Sequence, residues 1–142
     1  TIKNWIKSGK PILGICLGMQ LFAKVGFEFQ KTNGFGVIND NIEKIKTKNL
    51  KTILPHIGWN NVKIIKESRL LNDIDYDNSF YFVHSYAYSN SKKDHVVGIT
   101  DYDCDIVSVI EKDNVLGVQF HPEKSQKYGL KLINNFVIKN KC

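Results

Sequence analysis

Apolar residues fall along this chain in short runs broken by glycine, proline and polar clusters, and the run lengths predict alternating helices and strands. Residues 2–8 place Ile2, Trp5 and Ile6 on one helical face, with Gly9 as the stop. The apolar run 11–16 is too short for a helix and predicts a buried strand; 17–25 then predicts a second helix ended by Gly26. Residues 37–65 read as strand and loop, interrupted by the run Leu54, Pro55, His56, Ile57, Gly58, Trp59, Asn60. An aromatic strand is expected over 79–88, and a hairpin from 107–111 and 115–120 around Asp113 and Asn114. Residues 125–139 predict a closing amphipathic helix capped by Ser125. No internal repeat, linker or low-complexity segment interrupts this order, which is that of one α/β domain.

The chain starts without methionine, inside what reads as a helix beside the 11–16 strand, with no earlier strand to lead into it. The expectation is a fragment: residues 1–142 as the C-terminal part of a larger domain whose N-terminal segment is missing.

Composition narrows the classes. With 142 residues, 42% hydrophobic and 24% charged, the chain can bury a real core. No long apolar run or signal-peptide pattern points to a membrane or to secretion. Three cysteines, Cys16, Cys104 and Cys142, disfavour a disulfide framework and lack zinc-like spacing, so a reducing cytoplasm fits. The net charge of +6 raises nucleic acid as a partner, but the cations are scattered lysines with Arg69 the one arginine. Base reading calls for arginine, and dispersed lysine is a solvated surface.

Two fragments carry chemistry. In Gly14, Ile15, Cys16, Leu17, Gly18, a cysteine at a strand end sits between glycines two positions away on each side, as in a nucleophile elbow, where small residues relieve crowding around a strained central residue. The next helix would aim its N-terminus at the sulfur and favour thiolate, and the Leu17 amide would donate to an oxyanion. The competing reading is an ordinary buried cysteine. In His121, Pro122, Glu123, a period of two along a strand end projects imidazole and carboxylate to one side, so Glu123 can orient His121 toward the thiol. Together the fragments supply nucleophile, base and orienting group.

The runs 11–20 (PILGICLGMQ) and 117–125 (GVQFHPEKS) resemble the class I, triad-type glutamine amidotransferases. Within that family, 55–60 (PHIGWN), 81–86 (YFVHSY) and the extension 121–126 (HPEKSQ) look like the glutaminase subunits of imidazole glycerol phosphate synthase. The resemblance implies an α/β, flavodoxin-like open sheet lacking its first strands. It also implies that L-glutamine is attacked by Cys16, with His121 as acid and base, Glu123 as its orienter and Leu17 as an oxyanion donor. By the same resemblance Gln20, Ser85 and Tyr86 bind substrate, and Trp59, Asn60, Tyr81 and Lys124 face a cyclase subunit and the ammonia passage in a heterodimer. No cofactor or metal enters this reading. Family members carry, ahead of this chain's first residue, a glycine-bearing loop with the second oxyanion donor, and the run Asn33, Gly34, Phe35, Gly36 matches the family's glycine-rich segment only loosely.

Without the family, Gln20 reads as a solvent-facing helix residue, Ser85 and Tyr86 as ordinary strand residues, and Trp59 and Tyr81 as core aromatics. His84 reads as a satisfied core histidine, His56 as a loop hydrogen-bonder and His95 as exposed. Three other functions stay open: a glutaminase subunit serving amidino-sugar synthesis, a γ-glutamyl thiol hydrolase, and a non-catalytic binding subunit.

Overall fold

The computed structural model describes residues 1–139. After the short helix α1 (Ile2–Lys7) come β1 (Ile12–Ile15), α2 (Leu17–Gln20), β2 (Ala23–Gly26), β3 (Thr32–Asn33), β4 (Ile38–Lys44), β5 (His56–Asn60) and β6 (Lys63–Ile64). They are followed by β7 (Phe80–His84), β8 (Tyr86–Tyr88), β9 (Val96–Asp101), β10 (Asp105–Lys112), β11 (Val115–Val118), a 3-10 turn (Pro122–Lys124) and α3 (Gln126–Lys139).

A five-stranded sheet in the order β1-β11-β10-β9-β6 is the platform for everything else. β1 runs parallel to β11, in register from Ile12 opposite Val115 to Ile15 opposite Val118, and the remaining pairs are antiparallel. The expected hairpin around Asp113 and Asn114 is present as β10 and β11. Alternation along β11 sends Leu116 and Val118 into one core, with Phe80, Phe82, Phe120 and Leu132, and Val115 into the other, with Met19, Phe22 and Ile42. β10 carries a bulge near Ser108, so Val107 and Val109 join opposite cores although they stand two residues apart.

The segment after Cys16 is not a nine-residue helix. α2 stops at Gln20 and the chain turns into strand β2, which pairs with β3 and β4. The reason is long-range: the carbonyls of Leu21, Phe22 and Ala23, which a helix would have bonded internally, accept the amides of Phe35, of Val37 and Ile38, and of Gly36. Gly34 lies so close to the Ala23 carbonyl that a side chain there would collide with it.

The aromatic strand also divides. β7 pairs with β5 in a two-stranded ribbon, while β8 pairs with β4, and the chain changes sheets at Ser85, whose carbonyl accepts the Ile45 amide. Ser125 does not cap α3 with its side chain. Its Oγ donates to the His121 carbonyl at 2.6 Å and accepts the Tyr81 amide at 3.0 Å, tying β7 to the turn after β11. No described helix is long and apolar enough to cross a membrane.

Candidate active site

Two glycines facing each other across the β1–β11 ladder let the nucleophile helix settle on the sheet. Gly14 is in register with Gly117. A Cβ on Gly14 would lie 2.5 Å from Phe22 Cε2 and 2.6 Å from the Gly18 backbone, and one on Gly117 would lie 2.8 Å from Met19 Cγ. A Cβ on Gly18 itself would meet nothing within 4 Å, so the crowding that the motif implies on both sides falls on Gly14 alone.

Cys16 sits between β1 and α2 at φ 50°, ψ −109°, a conformation that costs an L-residue about 1–3 kcal/mol and recurs where function requires it. The strain is held by the ladder, since the Cys16 amide donates to the Val118 carbonyl at 2.8 Å. The thiol is half-buried. Burial pushes its pKa up, and the fields of Glu123 and Glu28 push the same way against donation from the Leu17 amide and the Gln119 side chain. Desolvation and the two carboxylates thus oppose the thiolate that the N-terminus of the four-residue α2 was expected to favour.

His121 and Glu123 lie beyond the end of β11, and the 3-10 turn, not strand alternation, brings them together. The His121 amide donates to the Tyr81 carbonyl at 2.8 Å, and Nδ1 meets Glu123 Oε1 at 2.7 Å. With Nδ1–H on the carboxylate, Nε2 is the imidazole nitrogen left to move a proton. Among the described residues the hydrogen bond that Cys16 Sγ accepts from a side chain comes from Gln119 Nε2, at 3.7 Å, and not from His121. A catalytic cysteine–histidine contact that is open without substrate is common.

Gln20 Nε2 donates to the Tyr86 carbonyl at 2.9 Å and to Gln119 Oε1 at 3.1 Å. Both of its hydrogens are thus engaged within the protein, leaving Oε1, an acceptor, to offer a ligand. A cavity of about 200 Å³ is lined by Leu17, Gln20, Leu21, Glu28, Thr32 and Asn33 among others. Glu28 was not legible as a site residue: it stands in a loop, outside every motif, and its carboxylate was the only available signal. Ser85 is half-buried at the sheet change, one residue from the Tyr86 carbonyl that Gln20 uses.

Of the four positions expected to face a partner, three come together. The Trp59 and Tyr81 rings meet edge-on at 5.9 Å, and Lys124 Nζ stands 5.8 Å from the Tyr81 ring centre. Asn60 turns the other way, donating to the Asp101 carbonyl at 3.0 Å. His56 is not in a loop. It is buried in β5, stacked between Tyr102 and Phe82, with Nδ1 3.3 Å from His84 Nε2. Burial lowers both histidines to about 4, with mutual repulsion adding for His56. His95 is half-buried, and burial lowers its pKa as well. Cys142 lies outside the described residues, and no group of three or more metal-ligating side chains occurs among the described ones.

Known proteins resemble this chain over most of its length. The chain is 47% identical to the imidazole glycerol phosphate synthase subunit HisH of Pelagibacter ubique over 93% of its own length and 64% of that protein's. It is 48% identical to the subunit HisH of Methanocaldococcus jannaschii, over 96% of this chain and 68% of the relative. The chain thus spans about two thirds of the length of these curated relatives. Among solved structures, a glutamine amidotransferase from Thermotoga maritima superposes with a TM-score of 0.63 at 20% identity, covering 97% of this chain and 51% of that one, which establishes the shared fold. Residues 1–140 match the family described as glutamine amidotransferase class-I, and this chain belongs to that family.

Proposed function

We propose that this chain carries the reacting part of a glutaminase that supplies ammonia to a cyclase partner for imidazole glycerol phosphate synthesis. The observation that carries the chemistry is the His121–Glu123 hydrogen bond of 2.7 Å in the same site as a cysteine at positive φ. Cys16 Sγ gives its proton to His121 Nε2 and bonds to the side-chain carboxamide carbon of glutamine. His121 returns that proton to the departing nitrogen as the C–N bond breaks, and ammonia leaves. Water then attacks the thioester, His121 takes a proton from it and passes it to sulfur, and glutamate is released.

The remaining site residues support the same substrate. The Leu17 amide donates toward the oxyanion that forms in each half-reaction. Gln20 Oε1 and the Glu28 carboxylate offer acceptor and negative charge, which suit the α-ammonium of glutamine and not its carboxylate. Ser85 and Tyr86 hold the amino-acid end of the substrate. Trp59, Tyr81 and Lys124 form the face that meets the cyclase, with Trp59 as aromatic anchor and Lys124 opposite a partner carboxylate. The likeness to HisH subunits over nearly the whole chain supports the histidine-pathway assignment.

The test is ammonia release from glutamine by the full-length protein with and without its cyclase, with a glutamine-analogue diazo-ketone as active-site label. The label is expected on Cys16 and not on Cys104, and hydrolysis is expected to rise at least about tenfold with the liganded cyclase, about 1.4 kcal/mol of coupling. Labelling that persists in Cys16→Ser overturns the nucleophile. Full activity with no cyclase binding overturns the partner.

A further inference from the structure

Gln119 is completely buried and stands two residues before the catalytic histidine, yet nothing in the triad chemistry assigns it a task. Its amide bridges two parts of the site: Oε1 accepts from Gln20, and Nε2 lies 3.7 Å from Cys16 Sγ. Which end of that amide faces sulfur matters. With nitrogen toward Sγ, the sulfur accepts a hydrogen bond and its own hydrogen stays free for His121. With oxygen toward Sγ, the thiol hydrogen would be held by the amide and a forming thiolate would face a lone pair.

The orientation is set by a chain of groups whose directions are forced one by one. The Tyr86 carbonyl can only accept, so Gln20 Nε2 and His84 Nδ1, each 2.9 Å away, must both donate to it. Gln20 then presents N–H to Gln119, which must answer with Oε1 and turn Nε2 toward sulfur. On the other branch His84 Nε2 is left as an acceptor, so His56 Nδ1 donates to it, and His56 Nε2 accepts from Asn60 Nδ2 at 3.4 Å. A flipped Gln119 would set donor against donor at Gln20.

We propose that Gln119 is a further catalytic residue of this site: its Nε2–H, locked in direction by Gln20 and the Tyr86 carbonyl, holds Cys16 Sγ and remains on the sulfur as it becomes thiolate. The contact deepens the glutaminase reading and rests on it for the identity of the attack, although the contact itself can be measured without glutamine. Glu123 and Glu28 are the charged groups whose fields reach the sulfur, and neither is a hydrogen-bond partner of the Gln119 side chain.

The experiment compares the full-length protein with Gln119→Met, which keeps the side-chain length and removes the donor, by the rate of Cys16 alkylation with iodoacetamide across pH. Alkylation near pH 7 is expected to slow about tenfold, with the profile displaced upward by about one pH unit. The kcat for ammonia release should fall by more than the KM for glutamine rises, because the sulfur contact acts in the attack, whereas Gln20 loses one partner and keeps its bond to the Tyr86 carbonyl. Superimposable alkylation profiles overturn the proposal. Should Gln119→Met not fold, the side-chain amide resonances of Gln119 in the unsubstituted protein decide: they move as Cys16 titrates, and resonances that stay fixed overturn it. A displaced profile in a protein that never hydrolyses glutamine refutes the glutaminase reading and upholds the sulfur contact.

Discussion

In β11 all four residues, Val115 to Val118, are buried; in β5 His56 is buried while Ile57 and Trp59 stand in solvent, 57% and 49% exposed. The two strands use opposite polarity. β11 is a platform held by apolar burial on both faces, and the backbone ladder it offers β1 is what keeps Cys16 in its strained conformation. β5 turns His56 inward, where it meets His84 of β7, and its large apolar side chains Ile57 and Trp59 outward, while Phe80 and Phe82 of β7 stay in the core. A burial-built element fixes geometry for chemistry, whereas a strand such as β5, with its imidazole inside and its large apolar side chains outside, offers an apolar surface of the kind that another protein can cover.

That comparison can be broken most severely at the nucleophile. Cys16→Ala should reduce ammonia release at least about 10³-fold without loss of fold, whereas His56→Phe, which keeps the stack on Tyr102 and Phe82, should cost less than about tenfold. Similar losses in the two would show that the ribbon takes part in the reaction itself.

The next effect is on stability. Gly14→Ala must displace Phe22 or the Gly18 backbone and should cost about 1–3 kcal/mol in denaturant unfolding. Gly58→Ala, at φ 130° in open space, adds backbone strain of about 1 kcal/mol without a collision. Equal costs would remove the distinction between a packed platform and an open ribbon.

The buried histidines sharpen the comparison through pH. Folded His56 and His84 titrate near 4 and unfolded histidine near 6.5, so between those values the unfolded chain binds protons that the native one does not. Stability from this pair is complete above about pH 6.5 and is lost as pH falls toward 4. The melting temperature should drop by roughly 5 °C or more from pH 7 to pH 4.5, and the drop should shrink in His56→Phe. An unchanged pH profile in that variant would show that the pair is not the source.

The smallest expected change in the isolated protein is at the ribbon's outer face. Trp59→Ala should alter stability by no more than about 0.5 kcal/mol, yet it should weaken the partner-dependent rise in hydrolysis, as should Lys124→Ala. Titration calorimetry with the cyclase checks this. Unchanged affinity in both would move the docking surface elsewhere.

What the amino-acid order determined by itself was local. The glycine before Cys16, the strand-to-helix turn and the two-residue reach from His121 to Glu123 act over a few bonds, so the elbow and its imidazole–carboxylate pair are visible as motifs. So is the β10–β11 hairpin, whose turn lies between two apolar runs. What only the tertiary structure decided depends on groups supplied from far along the chain. α2 ends at Gln20 because the carbonyls after it are claimed by amides of residues 35–38, and the aromatic strand divides because residue 45 pairs at Ser85. Ser125 turns from its helix to the Tyr81 amide, a partner 44 residues away. Glu28 is legible only once folding brings it to the cavity beside Gln20, and Gln119, although it stands in the run that carries His121, shows its contact only once folding sets its amide 3.7 Å from the sulfur; the direction of that amide follows from an acceptor-only carbonyl at Tyr86.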